Sequence, residues 1–181
     1  MKVVLHICCG VCAAGVVEKL FQEGHEVAGF FFNPNIHPSE EYDRRLKVAY
    51  QVAKELGFPL KVGHHKPREW LKETLPFRHE PEGGRRCEVC FRIRLGGTCL
   101  QLTELGGDMF TTTLTVSSRK SAQVINRIGK EIGGHLFLER DFKKQEGFKR
   151  SIELAKQWEL YRQDYCGCIY SLRERRKRNE H

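Results

Sequence analysis

Nowhere does the 181-residue sequence run apolar for the roughly 20 residues that a membrane-crossing helix needs, so a membrane partner is not expected. The N-terminal stretch MKVVLHICCGVC is too brief and too rich in cysteine for a secretory signal, and the chain is expected in the cytoplasm. It also lacks an internal repeat, a low-complexity linker and any break in composition. Those absences favour a single domain over 1–181, long enough to bury a substantial core.

Cysteine, by contrast, is plentiful, with eight residues. Cytosolic thiols are kept reduced, which argues against a structural disulfide framework. The thiols are also grouped rather than spread: Cys8, Cys9 and Cys12, then Cys87 and Cys90, then Cys166 and Cys168, with Cys99 apart. Grouping is what soft-metal or redox sites require. Lys and Arg number 31 against 23 acidic residues, a net charge of +8, sharpened by Arg173, Arg175, Arg176, Lys177 and Arg178. A polyanionic partner would meet such a surface, although a solvated charged face and a frayed basic terminus account for it equally well.

Short, nearly continuous apolar runs alternate with helical patterns. Strands are expected at Lys2 to Ile7, Glu26 to Phe32, Phe58 to Gly63, Asp108 to Thr115 and His135 to Glu139. Helices are expected at Ala13 to Gln22, Ser39 to Leu56, Pro67 to Thr74, Arg86 to Leu105 (with a break at Gly96-Gly97), Ser121 to Glu131 and Phe148 to Trp158. This alternation predicts a doubly wound, Rossmann-like α/β fold with a parallel sheet covered on both faces. A functional site would then lie beyond the carboxyl ends of the strands, where Cys8 to Cys12, Asn33 and Asn35, and Thr115 to Lys120 follow.

Cys87 and Cys90 form a C-x-x-C pair; with Cys8 and Cys9 they supply four thiolates, the complement of a [4Fe–4S] cluster or of a structural zinc. A zinc knot that only holds the fold is the weaker choice, because seven grouped thiols exceed the four of a closed zinc site. Cys99 reads as a small buried hydrophobe. Cys166-Gly167-Cys168 can close only a small, strained disulfide ring, which suits a redox-active dithiol; metal ligation and inert thiols are the alternatives.

Tyr161, Arg162, Gln163, Asp164 and Tyr165 precede that pair and offer groups that stack on and hydrogen-bond a base; alternatively the tyrosines are partly buried and Arg162 pairs with Asp164. Asn33 and Asn35 are substrate-binding candidates or simply an Asx turn that stops the strand. Ser118 and Arg119, before a helix, suit phosphate binding, and capping explains the serines as well. Asp141 is either a metal-binding or proton-handling carboxylate or a helix cap.

The segments HICCGVCAA (6–14), FFFNPNIHPSEEYDRR (30–45), RCEVCFRIRL (86–95), TTTLTVSSRKSAQVINRIG (111–129) and DFKKQEGFKRSIELAKQWELYRQDYCGC (141–168) resemble the epoxyqueuosine reductase QueH family. Gly10-Val11 stands where members often carry alanine-proline, with the sulfur spacing intact. The resemblance implies a [4Fe–4S] cluster on Cys8, Cys9, Cys87 and Cys90, and a redox-active pair at Cys166 and Cys168. It implies an additional iron ion or a proton donor at Cys12, Asp164 or Asp141. The reaction implied is reduction of the epoxide of a tRNA wobble nucleotide in the anticodon loop, the last step of queuosine formation, fed by an unidentified electron donor.

The fold implied is similar to that of the PP-loop ATP pyrophosphatases, with Cys8-Cys9-Gly10-Val11-Cys12 where those enzymes carry a phosphate loop. Competing functions are a cluster-dependent tRNA thiolase and a zinc-stabilised RNA-binding module without catalysis. The organisation expected is an α/β domain with a redox segment at about 160–170 and a basic tail at about 171–181.

Overall fold

The computed structural model describes residues 1–144 and 147–179; the last two positions of the expected basic tail, and 145–146 within the fifth family-like segment, lie outside the described residues. Four parallel strands, β1 (Lys2–His6), β2 (Glu26–Phe31), β3 (Leu60–Val62) and β4 (Met109–Thr112), form one sheet in the order β3-β2-β1-β4. Because side chains alternate along a strand, β1 feeds both faces. Val3, Leu5 and Ile7 join one core and Val4 the other.

Among the described residues the α-helices are α1 (Gly10–Gln22), α2 (Ser39–Leu56), α3 (Pro67–Thr74), α4 (Arg85–Cys99), α5 (Ala122–Gly133), α6 (Gly147–Gln157) and α7 (Ile169–Asn179). Helix α1 packs between α2 and α6 on one face, and α4 packs on α5 on the other. The expected doubly wound α/β architecture is therefore present. After β3 the chain crosses back to lay β4 on the far side of β1, making the β1–β4 boundary the switch point where a crevice opens.

Several expected elements differ. Helix α1 starts at Gly10 rather than Ala13, because the Cys9 side chain caps it by accepting from the Cys12 N–H. Strand β4 stops at Thr112, where its hydroxyl accepts from the Leu114 N–H and turns residues 113–116 into a 3₁₀ turn. Gly96-Gly97 does not break α4, which runs on to Cys99; a Cβ at Gly97 would stand 2.4 Å from the Phe32 ring, so the glycine makes room for that phenyl.

No fifth strand forms at His135 to Glu139. Gly134 at φ 53 and a 3₁₀ turn over Gly134–Leu136 leave only a single bridge, Phe110 to Phe137. The basic stretch expected as a tail is helix α7, anchored by buried Tyr170 and Leu172.

Candidate functional site

The site assembles at the switch point from helix N-termini. Residues Cys8, Cys9 and Cys12 occupy the β1–α1 turn, and their sulfurs lie within 4.8 Å of one another. This is the single group of His, Cys, Asp or Glu ligand atoms with metal-binding spacing among the described residues. Thr113, from the turn after β4, donates its hydroxyl to Cys8 Sγ at 3.2 Å and accepts the Cys8 N–H at 3.0 Å.

Hydrogen bonds from Cys12 and Cys9, with Arg94 nearby, hold the Cys8 thiol well below its ordinary value against the cost of burial. The shared proton therefore stays on the neighbours. A hydrogen bond from Cys12 favours the Cys9 thiolate, but the bond to Cys8 and burial push the Cys9 thiol up to about 12; hydrogen bonds to Cys8 and Cys9, with burial, raise Cys12 as well.

The second thiol pair begins helix α4. Cys87 accepts the Gly83 N–H at 3.3 Å, and burial pushes its thiol up to about 11. Cys90, one turn on, is 7% exposed and packs with Trp70, Cys168 and Tyr170. The third pair begins α7. Here Cys168 accepts the Ser171 N–H at 3.4 Å, and Gly167 takes φ 115, a conformation suited to glycine. A hydrogen bond from Cys168, opposed by burial and helped by Lys120, Arg94 and Arg45, holds the Cys166 thiol well below its ordinary value. That same bond and burial raise Cys168. All three cysteine blocks thus sit where backbone N–H groups and the helix dipole favour thiolate.

Cys166 stands between two cavities. One, of about 350 Å³, is lined by Cys8, Cys12, Arg94, Lys120, Gln163 and Cys166 among others. The other, of about 50 Å³, brings Cys87 and Cys90 together with Cys166 and Cys168. Arg94 and Lys120 line both. Burial opposes the charge on Lys120, yet the thiolates of Cys166 and Cys8 raise it above an ordinary lysine.

Sequence reasoning missed the buried groups that hold this arrangement. Arg94 donates to Asn33 Oδ1 at 2.6 Å, while Asn33 Nδ2 donates to the Ile7 carbonyl at 2.9 Å. Asn33 thereby ties the end of β1 to α4, with both ends of its amide engaged. His6 is fully buried, which with the charge of Arg94 lowers its imidazole to about 3 and keeps it neutral. Its Nε2 lies 3.1 Å from the Phe32 carbonyl and 3.3 Å from Arg94 Nε, contacts that belong to opposite tautomers.

Arg45, 3% exposed in α2, clamps the C-terminal segment. Its Nη1 donates to the Cys166 carbonyl and its Nη2 to the Tyr165 carbonyl, each at 3.0 Å, while Nε donates to Glu41 at 2.6 Å. The signal was present in the sequence: Glu41, Arg45, Val48 and Val52 share one helical stripe, and charge on an apolar stripe points inward.

The remaining candidates divide by position. Arg162, Gln163, Asp164 and Tyr165 line the larger cavity, as do Ser118 and Arg119 on an exposed turn at its mouth. That turn precedes α5, whose cap is Ser121, accepting from the Val124 N–H at 3.3 Å. Asp164 pairs with Arg175 rather than with Arg162.

Tyr165 is buried, donates to the His37 carbonyl and has guanidinium groups of Arg45 and Arg175 over its ring, so its faces are taken. The Tyr161 hydroxyl donates to Glu41 at 2.7 Å. Asn35 is buried, with both amide atoms unpaired among the described residues. Asp141 is not brought to the thiols; it accepts the Lys143 N–H at 3.2 Å in a turn. Cys99 is half-buried at the end of α4 against the second core.

A profile of the epoxyqueuosine reductase QueH family matches residues 3–174. Epoxyqueuosine reductase QueH of Streptococcus pyogenes is 38% identical over 181 residues, covering 94% of this chain and 70% of the relative. That of Thermotoga maritima is 33% identical over 183 residues, covering 98% and 93%. A crystal structure described as a predicted subunit of tRNA methyltransferase, from Methanocaldococcus jannaschii, superimposes with a TM-score of 0.59 at 16% identity, over 86% of this chain and 74% of that one. At that identity the likeness concerns the fold alone. Among the described residues no helix is long and apolar enough to cross a membrane.

Proposed function

Given that this chain belongs to the epoxyqueuosine reductase QueH family and is an oxidoreductase acting on epoxyqueuosine, we propose how its thiols carry out the reduction. Cys8, Cys9, Cys87 and Cys90 hold a [4Fe–4S] cluster. Cys12, packed against Cys8 and Cys9, serves an additional iron ion or donates a proton. The donor chemistry fits such a group: the sulfurs sit at helix N-termini, and Arg94 and Lys120, in the walls of both cavities, offset the negative charge of a thiolate-ligated cluster. When bound, the metal would supply single electrons and a Lewis acid for the epoxide oxygen.

The chain's own residues supply the rest. Removing the epoxide oxygen as water takes two electrons and two protons and leaves a carbon–carbon double bond. Cys166 and Cys168 match that balance: two thiols become one disulfide as epoxide becomes alkene plus water. The ring closed by Cys166-Gly167-Cys168 is small and strained, so an electron donor reduces it readily for the next turnover.

Gln163, Arg162, Ser118 and Arg119 at the larger cavity contact the modified nucleotide and its phosphate, and a thiol such as Cys12, or Asp164 once freed from Arg175, hands a proton to the leaving oxygen. Tyr165 stands in the wall of the larger cavity with its ring covered by guanidinium groups, and Asn33, Asn35 and Tyr161 brace the segments behind it rather than touch the base. The substrate is tRNA, which places the reaction in the cytoplasm.

The position of Cys166 between the Cys8 cavity and the Cys87–Cys90 cavity carries this reading. Its test is Cys166→Ser and Cys168→Ser, assayed on epoxyqueuosine-containing tRNA with a chemical reductant. Multiple-turnover reduction should fall at least 100-fold in each variant; unchanged multiple turnover would exclude the dithiol.

A further inference from the structure

Several surface arginines of this protein are matched by acids. Arg92 and Arg127 pair with Glu131, Arg127 also with Glu88, Arg150 with Glu18 and Arg140 with Glu23. Helix α7 instead concentrates cations. It carries five cations and one acid, a net +4 within a chain whose whole charge is +8. Its single acid, Glu174, turns back to Arg86 at 3.5 Å, and Arg175 is taken by Asp164.

Arg173, Arg176 and Lys177, at i, i+3 and i+4, form an exposed stripe that makes no ion pair with any described residue. Like charges at that spacing repel by about 0.2–0.5 kcal/mol per pair. The helix dipole favours Arg176 and Lys177 in the last turn, but no described acid pairs with the stripe.

The helix is nevertheless firmly seated. Tyr170 packs on Trp70 and Cys168, the Arg86 guanidinium lies 4.5 Å from the Tyr170 ring centroid, and Leu172 is buried. Helix α7 follows directly on Cys168, and Arg175 closes over Tyr165 and Asp164 at the wall of the larger cavity. Its eleven residues span about 16 Å, and Arg175, past its midpoint, still touches that wall. A firmly seated helix carrying unpaired cations beside the cavity matches a polyanion whose one reactive unit enters the cavity while its neighbours stay outside.

We propose that the Arg173–Arg176–Lys177 stripe of α7 docks the phosphate backbone of the RNA substrate and sets the register of the modified nucleotide at Cys166. The inference rests on the reading that the substrate is tRNA, and it assigns the binding energy to α7 rather than to the thiol cavity. Phosphate contacts position a nucleic acid without reading its sequence, which suits an enzyme whose selectivity lies in the modified base.

The test is direct binding of epoxyqueuosine-containing tRNA to the full chain, by fluorescence anisotropy, across a series of salt concentrations. Each lost phosphate contact lowers the salt slope by about 0.7–0.9. The variant Arg173→Gln/Arg176→Gln/Lys177→Gln should lose about 2 units of slope and bind about 100-fold more weakly near physiological salt. Arg173→Lys/Arg176→Lys should keep the slope, and Arg150→Gln, on a paired arginine far along the chain, should change nothing.

A triple variant that binds tRNA like the wild type overturns the inference while leaving the reductase reading intact; a wild type that binds no tRNA removes the reading beneath it. A third result, tRNA affinity unchanged but slower re-reduction by an acidic redox protein, would give the stripe to the electron donor and equally overturn it.

Discussion

Removing the Arg45 guanidinium separates stability from positioning. Arg45 is nearly inaccessible, and its ion pair with Glu41, 5% exposed, is among the most buried charges in the molecule. Arg45→Met keeps the bulk but leaves the Glu41 carboxylate with the Tyr161 hydroxyl as its remaining partner. Breaking a buried pair from one side costs about 3–5 kcal/mol, a large part of the roughly 5–15 kcal/mol by which a typical domain is stable. The double variant Glu41→Gln/Arg45→Met removes the stranded charge and should regain about 2 kcal/mol or more, since uncharged replacement of a buried pair is often close to neutral.

Neither variant restores the donors to the Tyr165 and Cys166 carbonyls. Both should therefore lose about 100-fold in single-turnover reduction of epoxyqueuosine-containing tRNA, the cost of about 1 Å of misplacement at a reacting group. Urea midpoints measure the first effect and rapid-quench kinetics the second. Recovery of both stability and rate in the double variant would refute the clamp; Arg45→Met as stable as the wild type would refute the buried pair.

Thr113→Val leaves the buried Cys8 N–H without its acceptor and should cost about 1–3 kcal/mol, read as a lower urea midpoint, with Thr113→Ser restoring it. Gly167→Ala places a Cβ 2.9 Å from Arg45 Nη1 at φ 115. The strain of about 1–3 kcal/mol should appear as lowered stability together with a reduction rate as low as that of Arg45→Met, whereas Gly24→Ala, at φ 79 with open space around it, should lower stability alone.

The alternation of short apolar runs with helical stripes made the architecture readable, because a parallel sheet buried on both faces needs those runs. His135 to Glu139 has the composition of a strand, yet Gly133-Gly134 turns the chain so that a single bridge to Phe110 forms, through Phe137 and the Leu138 N–H. Helix α7 is so polar that its stretch reads as a tail; Tyr170 and Leu172 are too few for a periodic signal and depend on Trp70 from a distant helix.

In the site, thiols announce themselves by rarity and spacing. Arg94, His6 and Lys120 do not, since such residues are common on surfaces and only tertiary packing shows them facing inward; Arg45 was legible only through its place on the apolar stripe of α2. Tyr165 illustrates the converse: its neighbours suggested a base-stacking ring, but two guanidiniums cover its faces.

Anaerobic purification followed by iron, sulfide and zinc analysis tests the central claim most directly. The account predicts about four irons and four sulfides per chain, with an additional iron allowed, a broad absorption near 400 nm that bleaches on reduction, and loss of both on Cys8→Ala or Cys90→Ala. A colourless protein with about one zinc and no sulfide would contradict it.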